Sequence, residues 1–274
     1  MLALSITSCL PDPLEVDGIP AVKPQIVVSS QIIPDQSLVI LLTKSFGALD
    51  ASDDSDPQAL LNQIAVTDAL VTISYQNDVD TLLPLGNGFY GGIQIPFVPK
   101  VDYTLDVDSE SLGKVTSTTQ VKPQVSFTGL EAELYYDNFD DTLAIVTYEL
   151  TDPADKNWYM LNVLKVEQEE LQENLLNPRD FVVLKDDAEF GESNFSETFT
   201  VVPREFSDGD TIAVYLSNIS KEYYDFIQLR LDNRFSLVEL ISEPLNYPSN
   251  VTGGKGYFNL YVPDIRFLVL EWDK

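Results

Sequence analysis

The chain has 274 residues, of which 44% are hydrophobic and 11% aromatic, so it can bury a sizeable core and is predicted to form two domains. Its 44 acidic and 16 basic residues give a formal net charge of −28, which argues against binding to nucleic acid or anionic lipid headgroups. Cations or basic patches on a partner would be attracted, although solubility alone also explains such a surface. The sequence contains no histidine, which excludes Ser-His-Asp and Cys-His catalysis and histidine metal ligation.

The N-terminal segment contains the single cysteine, Cys9, at the end of a short apolar stretch. Ser8 and Ile6 before it resemble a bacterial lipobox, in which the signal is cut before a cysteine whose thiol carries a diacylglycerol. The positively charged region and most of the apolar region of a secretory signal are missing. The alternative is a free buried cysteine, which a proline-rich terminus makes less favourable. We expect residues 1–8 to be residual signal and Cys9 to be the lipidation site.

Residues 9–24 are predicted to form the lipid anchor and a proline-rich tether. Prolines at positions 11, 13, 20 and 24 and little apolar periodicity favour an extended chain. At about 3.1 Å per residue, such a tether would hold a folded body on the order of 40 Å from the lipid.

Residues 25–121 are predicted to form an antiparallel β-sandwich, immunoglobulin-like or transthyretin-like. Apolar and polar residues alternate in two stretches, 69–76 and 103–108, as in half-buried strands. Earlier strands are predicted at 26–28 and 38–42. Glycine-rich turns are predicted at 86–88 and 91–92.

A polar segment that ends at Pro123 marks the predicted boundary, and residues 122–274 are predicted to form a second β-rich domain. The overall class is therefore all-β and mainly antiparallel. Strands of this domain are predicted at 143–150, 158–166, 181–185, 195–202, 211–216, 256–262 and 266–272.

One helix is predicted near residues 221–233, because Ser220 is a good N-cap and aromatic and aliphatic residues follow at helical spacing. The acidic turn at 207–210 is predicted to join two strands as a hairpin. The acidic run at 167–173 is predicted to be solvated.

Two acidic clusters make calcium a candidate ligand, because calcium binds six to eight oxygen atoms. Neither cluster has the twelve-residue loop with a central glycine, and chance clustering is the favoured reading in so acidic a chain. The candidate residues are Asp53, Asp54, Asp56, Asp137, Asp140 and Asp141.

Nine aromatic residues are candidates for a carbohydrate or peptide surface, although most are expected to belong to the core. They are Tyr135, Tyr136, Trp158, Tyr159, Tyr223, Tyr224, Tyr247, Tyr257 and Tyr261. A glycosidase would need two carboxylates in one cleft, and no pair stands out in the sequence.

Several segments together resemble a family of Bacteroidota outer-membrane lipoproteins known only as a domain of unknown function. The closing segment 243–258, EPLNYPSNVTGGKGYF, is similar to that family's C-terminal motif. Further similar segments are Ala69–Ile73, Gly88–Tyr90, Tyr103–Leu105, Asp152-Pro153, Asn157–Tyr159 and Tyr223-Tyr224.

The resemblance implies an N-terminal immunoglobulin-like domain, a C-terminal β domain and genes often placed beside TonB-dependent transporters. It implies no catalytic residues. Asp12, Glu15 and Asp17 resemble the surface-export signals of this phylum. The stretch Asn250–Gly256 is predicted to be a turn with positive φ angles, which glycine adopts without steric cost.

The sequence therefore predicts a non-enzymatic lipoprotein of the outer membrane of a Gram-negative bacterium, facing the cell surface, with the periplasmic face as the alternative. It would act as a binding or accessory subunit of a TonB-dependent β-barrel transporter or of a larger outer-membrane complex. The alternatives are a carboxylate-dependent glycan hydrolase and a structural adhesin. Apart from calcium, no cofactor is expected.

Overall fold

The computed structural model describes residues 23–32, 37–45, 57–92, 94–136, 142–166, 181–190, 193–202, 205–233 and 247–272. Several sequence predictions fall outside these ranges: Cys9 and the tether, all six acidic calcium candidates, and the acidic run at 167–173. The described chain is mainly antiparallel β-sheet, which confirms the predicted all-β class. No helix of the described residues combines the length and the apolar character that a membrane span requires.

The first half contains one short helix and several strands, and the strands predicted at 26–28, 38–42, 69–76 and 103–108 are all present. The helix α1 spans Pro57–Ile64, and the strands are β1 (Ile26–Ile32), β2 (Leu38–Lys44), β3 (Ala69–Tyr75), β4 (Asp78–Thr81), β5 (Leu83–Gly86), β6 (Phe89–Gly91), β7 (Asp102–Ser109) and β8 (Gly113–Gln120). The sequence reasoning missed α1, whose proline at the first helical position is a typical start signal.

The second half contains the predicted strands and the predicted helix. The strands are β9 (Phe127–Tyr136), β10 (Thr142–Thr151), β11 (Trp158–Lys165), β12 (Phe181–Asp186), β13 (Asn194–Val201), β14 (Thr211–Ile219), β15 (Lys255–Tyr257) and β16 (Asp264–Val269). A 3₁₀ turn spans Asp187–Glu189, and the helix α2 spans Lys221–Asn233.

Two facing sheets enclose the first core. One has the strand order β15-β1-β2-β6-β5, and the other has the order β4-β3-β7-β8. The predicted alternation is confirmed in β7, where Tyr103, Leu105 and Val107 are buried and their neighbours are exposed or half-buried. Strand side chains point to opposite faces in turn, so this pattern directs one row of residues into the core.

Tyr103 holds the segment that leads into β7 in place through hydrogen bonds to its backbone. Its hydroxyl donates to the Pro96 carbonyl oxygen and accepts from the Val98 amide at 2.8 Å. A tyrosine near the start of a strand that bonds to backbone a few residues upstream is the corner seen in immunoglobulin-like sandwiches.

Two further sheets, with orders β13-β10-β9 and β12-β11-β14-β16, enclose the second core. Sequence reasoning missed β9, because its Glu and Ala residues have low strand propensity even though Leu130, Ala132 and Leu134 alternate. The prediction of a hairpin at 207–210 was wrong. The turn exists, with the Asp210 amide 3.0 Å from the Ser207 carbonyl oxygen, but it joins strands of different sheets.

The helix α2 confirms its prediction, including the cap. The Ser220 Oγ accepts from the Tyr223 amide at 3.2 Å, and the Ser220 carbonyl oxygen accepts from the Tyr224 amide at 2.9 Å. Lys221 and Asp225, one turn apart on the exposed side, form an ion pair at 2.6 Å. The cap satisfies an amide that would otherwise lack a partner at the start of the helix.

The closing segment 250–260 returns to the first core. Its strand β15 pairs in parallel with β1, and Thr252 exchanges two backbone hydrogen bonds with Thr116 of β8. Phe258 and Leu260 are buried among first-core residues. Residues 122–274 were predicted to form one separate domain, and these contacts with the first core are not part of that prediction. The strand predicted at 256–262 is shorter in the structure and spans Lys255–Tyr257. The boundary near residue 121 stays a prediction.

An aromatic cluster lies between α2, the outer face of β11 and β14, and the closing segment. Tyr223 of α2 lies 5.4 Å from Tyr257, measured between ring centroids, and Phe226 lies 5.0 Å from Tyr257. Met160 and Ile219 complete the buried part of this cluster. The helix therefore links the second sandwich to the segment that closes the first one.

Candidate binding surface

Most of the nine aromatic residues singled out in the sequence belong to packing interfaces, as expected. Seven are buried or half-buried: Trp158, Tyr159, Tyr223, Tyr224, Tyr247, Tyr257 and Tyr261. Tyr135 and Tyr136 differ, because 44% and 53% of their surfaces are exposed. These two residues are the starting point for a candidate surface.

Tyr135 and Tyr136 lie at one end of the second sandwich beside three further apolar residues. Val202 and Trp272 are 49% and 45% exposed, and Leu143 is half-buried. We call this group the end surface; it consists of Tyr135, Tyr136, Leu143, Val202 and Trp272. Single exposed apolar residues are ordinary, whereas a group of them is typical of an interaction site.

Strand pairing brings three strands together at this end. Tyr135 of β9 lies opposite Leu143 of β10. On the other side of β10, Ala144 lies opposite Val201, the last residue of β13, so Val202 continues the row beside Leu143. The result is an apolar row across the outer face of the sheet.

Trp272 reaches the same end by a different route. After β16 the chain leaves one sheet and meets the edge of the other, where the Leu134 amide donates to the Glu271 carbonyl oxygen at 3.1 Å. Leu134 and Trp272 form a parallel bridge. Backbone pairing at the edge of β9 thus places Trp272 at the same end of the sandwich, on the side of β9 toward which Leu134 points; Tyr136 lies on that side and Tyr135 on the other.

The alternation of β9 decides which of its residues face outward. Leu134 points into the second core, so Glu131, Glu133 and Tyr135 share the opposite face. Both glutamates are exposed, as is Glu271 beside Trp272. The end surface therefore has carboxylates along its border.

In the part of the second sandwich that the structure describes, four basic residues are engaged with carboxylates elsewhere. Lys156 pairs with Asp186 and Asp187. The other pairs are Lys165–Asp210 at 2.9 Å, Lys185–Glu197 at 2.6 Å and Arg266–Asp264 at 3.1 Å. Within the described residues, Glu131 and Glu133 have no such ion pair, so their charges remain directed toward solvent.

A tyrosine–carboxylate pair inside this sandwich is structural. The Tyr148 hydroxyl donates to Glu197 Oε2 at 2.9 Å, while Lys185 Nζ donates to Glu197 Oε1 at 2.6 Å. Burial, together with the hydrogen bond to Glu197, raises the pKa of Tyr148 well above its usual range. Both carboxylate oxygens are engaged, and the pair joins β10 and β13 of one sheet to β12 of the other.

Tyr159 and Asp152 form a second pair of this kind. The Tyr159 hydroxyl donates to Asp152 Oδ1, and burial raises the pKa of Tyr159, with a further contribution from Asp152. The Tyr159 ring stacks on Phe190 with centroids 5.6 Å apart. Both phenols therefore stay protonated at neutral pH and serve as hydrogen-bond donors within the fold.

Among the residues that the structure describes, no group of three acidic or cysteine side chains is arranged to hold a metal ion. The six acidic candidates for calcium lie outside those residues. Calcium binding therefore stays a prediction from the sequence.

Leu143, Val202 and Trp272 were not recognised as site residues in the sequence. Each belonged to a predicted strand, but no local sequence pattern indicates which strand ends lie next to each other in the fold. Only the pairing of β9 with β10 and with residues 271–272 brings them together.

A search of curated proteins found no match to the chain. A family model described as a domain of unknown function, DUF4249, matches residues 11–264, which is most of the 274 residues. The match includes the first sandwich, helix α2, the closing segment and the second sandwich apart from β16 beyond Asp264. The chain belongs to this family of domains of unknown function, DUF4249.

Proposed function

We propose that this protein is a lipid-anchored, non-enzymatic subunit that binds a partner at the outer membrane of a Gram-negative bacterium of the Bacteroidota. A TonB-dependent β-barrel transporter, or a larger outer-membrane complex, is the expected partner. Cys9 would hold the protein to the membrane on the cell surface. The folded part would present the end surface to the partner.

The end surface is the observation that supports this proposal best. Tyr135, Tyr136 and Trp272 place three large aromatic side chains at one end of a rigid sandwich, each between two-fifths and about half exposed. Tyrosine and tryptophan are enriched at the centres of protein interfaces, because they bury a large area at a low cost in conformational entropy. Burying such a group against a partner would be favourable.

The chemistry of the chain also favours binding over turnover. Without histidine, the common nucleophile–base pairs are not available. Glu197 is bound on both oxygens, and Asp152 accepts from the Tyr159 hydroxyl, so these carboxylates are used in packing. Shape and aromatic contacts suffice for a binding subunit.

An affinity pull-down from detergent-solubilised membranes tests the proposal. The tagged full-length protein should recover a β-barrel protein in a stoichiometric amount. The double variant Tyr135→Ser/Trp272→Ser should lose this partner, because it removes two aromatic contacts from the end surface.

The matched control is Leu70→Ser/Val79→Ser, which changes two apolar residues of the first sandwich that are at least as exposed. This variant should retain the partner. Recovery of the barrel by the Tyr135/Trp272 variant at the wild-type level would exclude the end surface as its binding site. Absence of any membrane partner from the wild-type pull-down would count against the accessory-subunit function itself.

A further inference from the structure

We infer that the end surface binds a cationic polypeptide segment, in which basic residues flank apolar ones. This inference rests on the proposed binding function and specifies the chemistry of the partner. It follows from two features of the same face: the apolar row and the carboxylates that border it.

The apolar row is shaped for side chains of a polypeptide. Tyr135 and Leu143 lie side by side on neighbouring strands, roughly 5 Å apart, and Val202 directly follows Val201, the last residue of β13. An extended segment that crosses the strands can place its apolar side chains on this row. Of these residues, Tyr135 is of the type that most often contributes strongly to binding, with the aliphatic side chains packed around it.

The carboxylates determine the charge of the partner. Glu133 and Glu131 lie on the same face of β9 as Tyr135, one and two alternations away along the strand. Among the described residues of this sandwich, Lys156, Lys165, Lys185 and Arg266 are paired with other carboxylates: Asp186, Asp187, Asp210, Glu197 and Asp264. A partner with lysine or arginine beside its apolar residues would compensate the exposed glutamates, and a net charge of −28 would attract it from a distance.

A glycan is the other ligand that an aromatic surface can take. Recognition of a sugar needs hydroxyl or amide groups directed at its hydroxyls. On the outer face of β10 and β13, the Thr147 and Thr198 hydroxyls lie 2.8 Å apart and bond to each other. Thr200 lies on the same face opposite Ile145, whereas the charged groups beside Tyr135 are the carboxylates of Glu131 and Glu133, which favours a cationic ligand.

Fluorescence anisotropy on the full-length protein in detergent micelles tests the inference. The probes are a fluorescein-labelled peptide of alternating lysine and leucine residues, the same peptide with glutamate in place of lysine, and a labelled cello-oligosaccharide. We expect only the lysine peptide to bind. Its affinity should fall roughly tenfold as the salt concentration rises from low ionic strength to about 0.5 M, because salt screens exposed charges.

Variants distinguish the contribution of the end surface to peptide binding from the contribution of the net charge of the chain. Glu131→Gln/Glu133→Gln should weaken binding of the lysine peptide about fivefold, through loss of two carboxylates next to the apolar row. The control Asp106→Asn/Glu110→Gln removes two exposed carboxylates from the first sandwich and should change the affinity by less than about twofold. Tyr135→Ser/Trp272→Ser should abolish binding. Circular dichroism of each variant checks that the fold is retained.

Equal weakening by the two pairs of charge variants would show that only net charge matters and would overturn the inference. Binding of the cello-oligosaccharide that depends on Tyr135 would also overturn it, in favour of a glycan. Failure of the proposed function is distinguishable. One outcome would support the proposed binding function but reject a cationic partner. In it, the Tyr135/Trp272 variant loses the barrel protein, while neither added salt nor the Glu131/Glu133 variant weakens its recovery.

Discussion

Gly256 lies directly against the backbone of Val28. A Cβ atom on residue 256 would overlap the Val28 carbonyl oxygen and stand 2.8 Å from the Val28 amide nitrogen. The two residues are partners in the parallel pairing of β15 with β1, and Gly256 has a φ angle of 92°. The sequence prediction that this stretch needs glycine at positive φ is confirmed, with close backbone approach as a second reason.

The substitution Gly256→Ala should therefore destabilise the protein by roughly 3 kcal/mol or more, since it adds a backbone clash to an unfavourable φ angle. Chemical denaturation measures this loss. Gly209→Ala is the matched control, because Gly209 also has a positive φ, 87°, but no atom lies within 4 Å of its Cβ position. The control should cost about 1 kcal/mol. Equal losses in the two variants would mean that the contact with Val28 is unimportant.

The aromatic cluster under α2 should make stability sensitive to alkaline pH. Burial raises the pKa of Tyr223 to about 12. A phenol in the unfolded chain has a pKa near 10, so the unfolded state loses its proton first as the pH rises. The stabilising contribution is complete below about pH 10 and is lost progressively between about pH 10 and 12.

Denaturation curves collected across that pH range test this expectation. Tyr223→Phe should reduce the decline in stability with pH, because its ring cannot ionise. Tyr135→Phe removes an exposed phenol and should leave the decline as in the wild type. A decline that is identical in all three proteins would indicate that the cluster does not couple ionisation to folding.

The lipid anchor is predicted from Cys9 alone. Cys9→Ala should release the protein from the membrane fraction, since no other residue of the sequence can accept a thioether-linked lipid. Cell fractionation followed by immunoblotting gives the result. Thr7→Ala changes a neighbouring residue, keeps the thiol and should leave the protein in the membrane fraction. Retention of the Cys9→Ala variant there would refute the anchor.

We expect no turnover by the purified protein. Incubation of the full-length chain with panels of glycans, peptides and esters should give rates equal to those without protein, because the nucleophile–base pairs that contain histidine are not available. Hydrolysis that one particular Asp or Glu substitution abolishes would instead support the carboxylate-dependent glycosidase. A heat-denatured sample of the same preparation serves as the control.

The local pattern of the sequence was enough to predict the all-β class, most strands and helix α2. In β7, strict alternation of apolar and polar residues indicates a half-buried strand, because successive side chains of a strand point to opposite faces of the sheet. In α2, Ser220 and the helical spacing after it defined the start of the helix. These features depend on neighbours in the chain, which is why the sequence alone revealed them.

Only the tertiary structure determined which strands meet. The turn at 207–210 has hairpin residues, yet its flanking strands join different sheets: β13 pairs with β10, and β14 pairs with β11 and β16. Gly256 closes the first sandwich although it lies far from β1 in the chain. The end surface likewise exists because backbone pairing brings Trp272 to the edge of β9. Long-range pairing is decided by the burial of whole sheet faces, and a short sequence window does not contain that information.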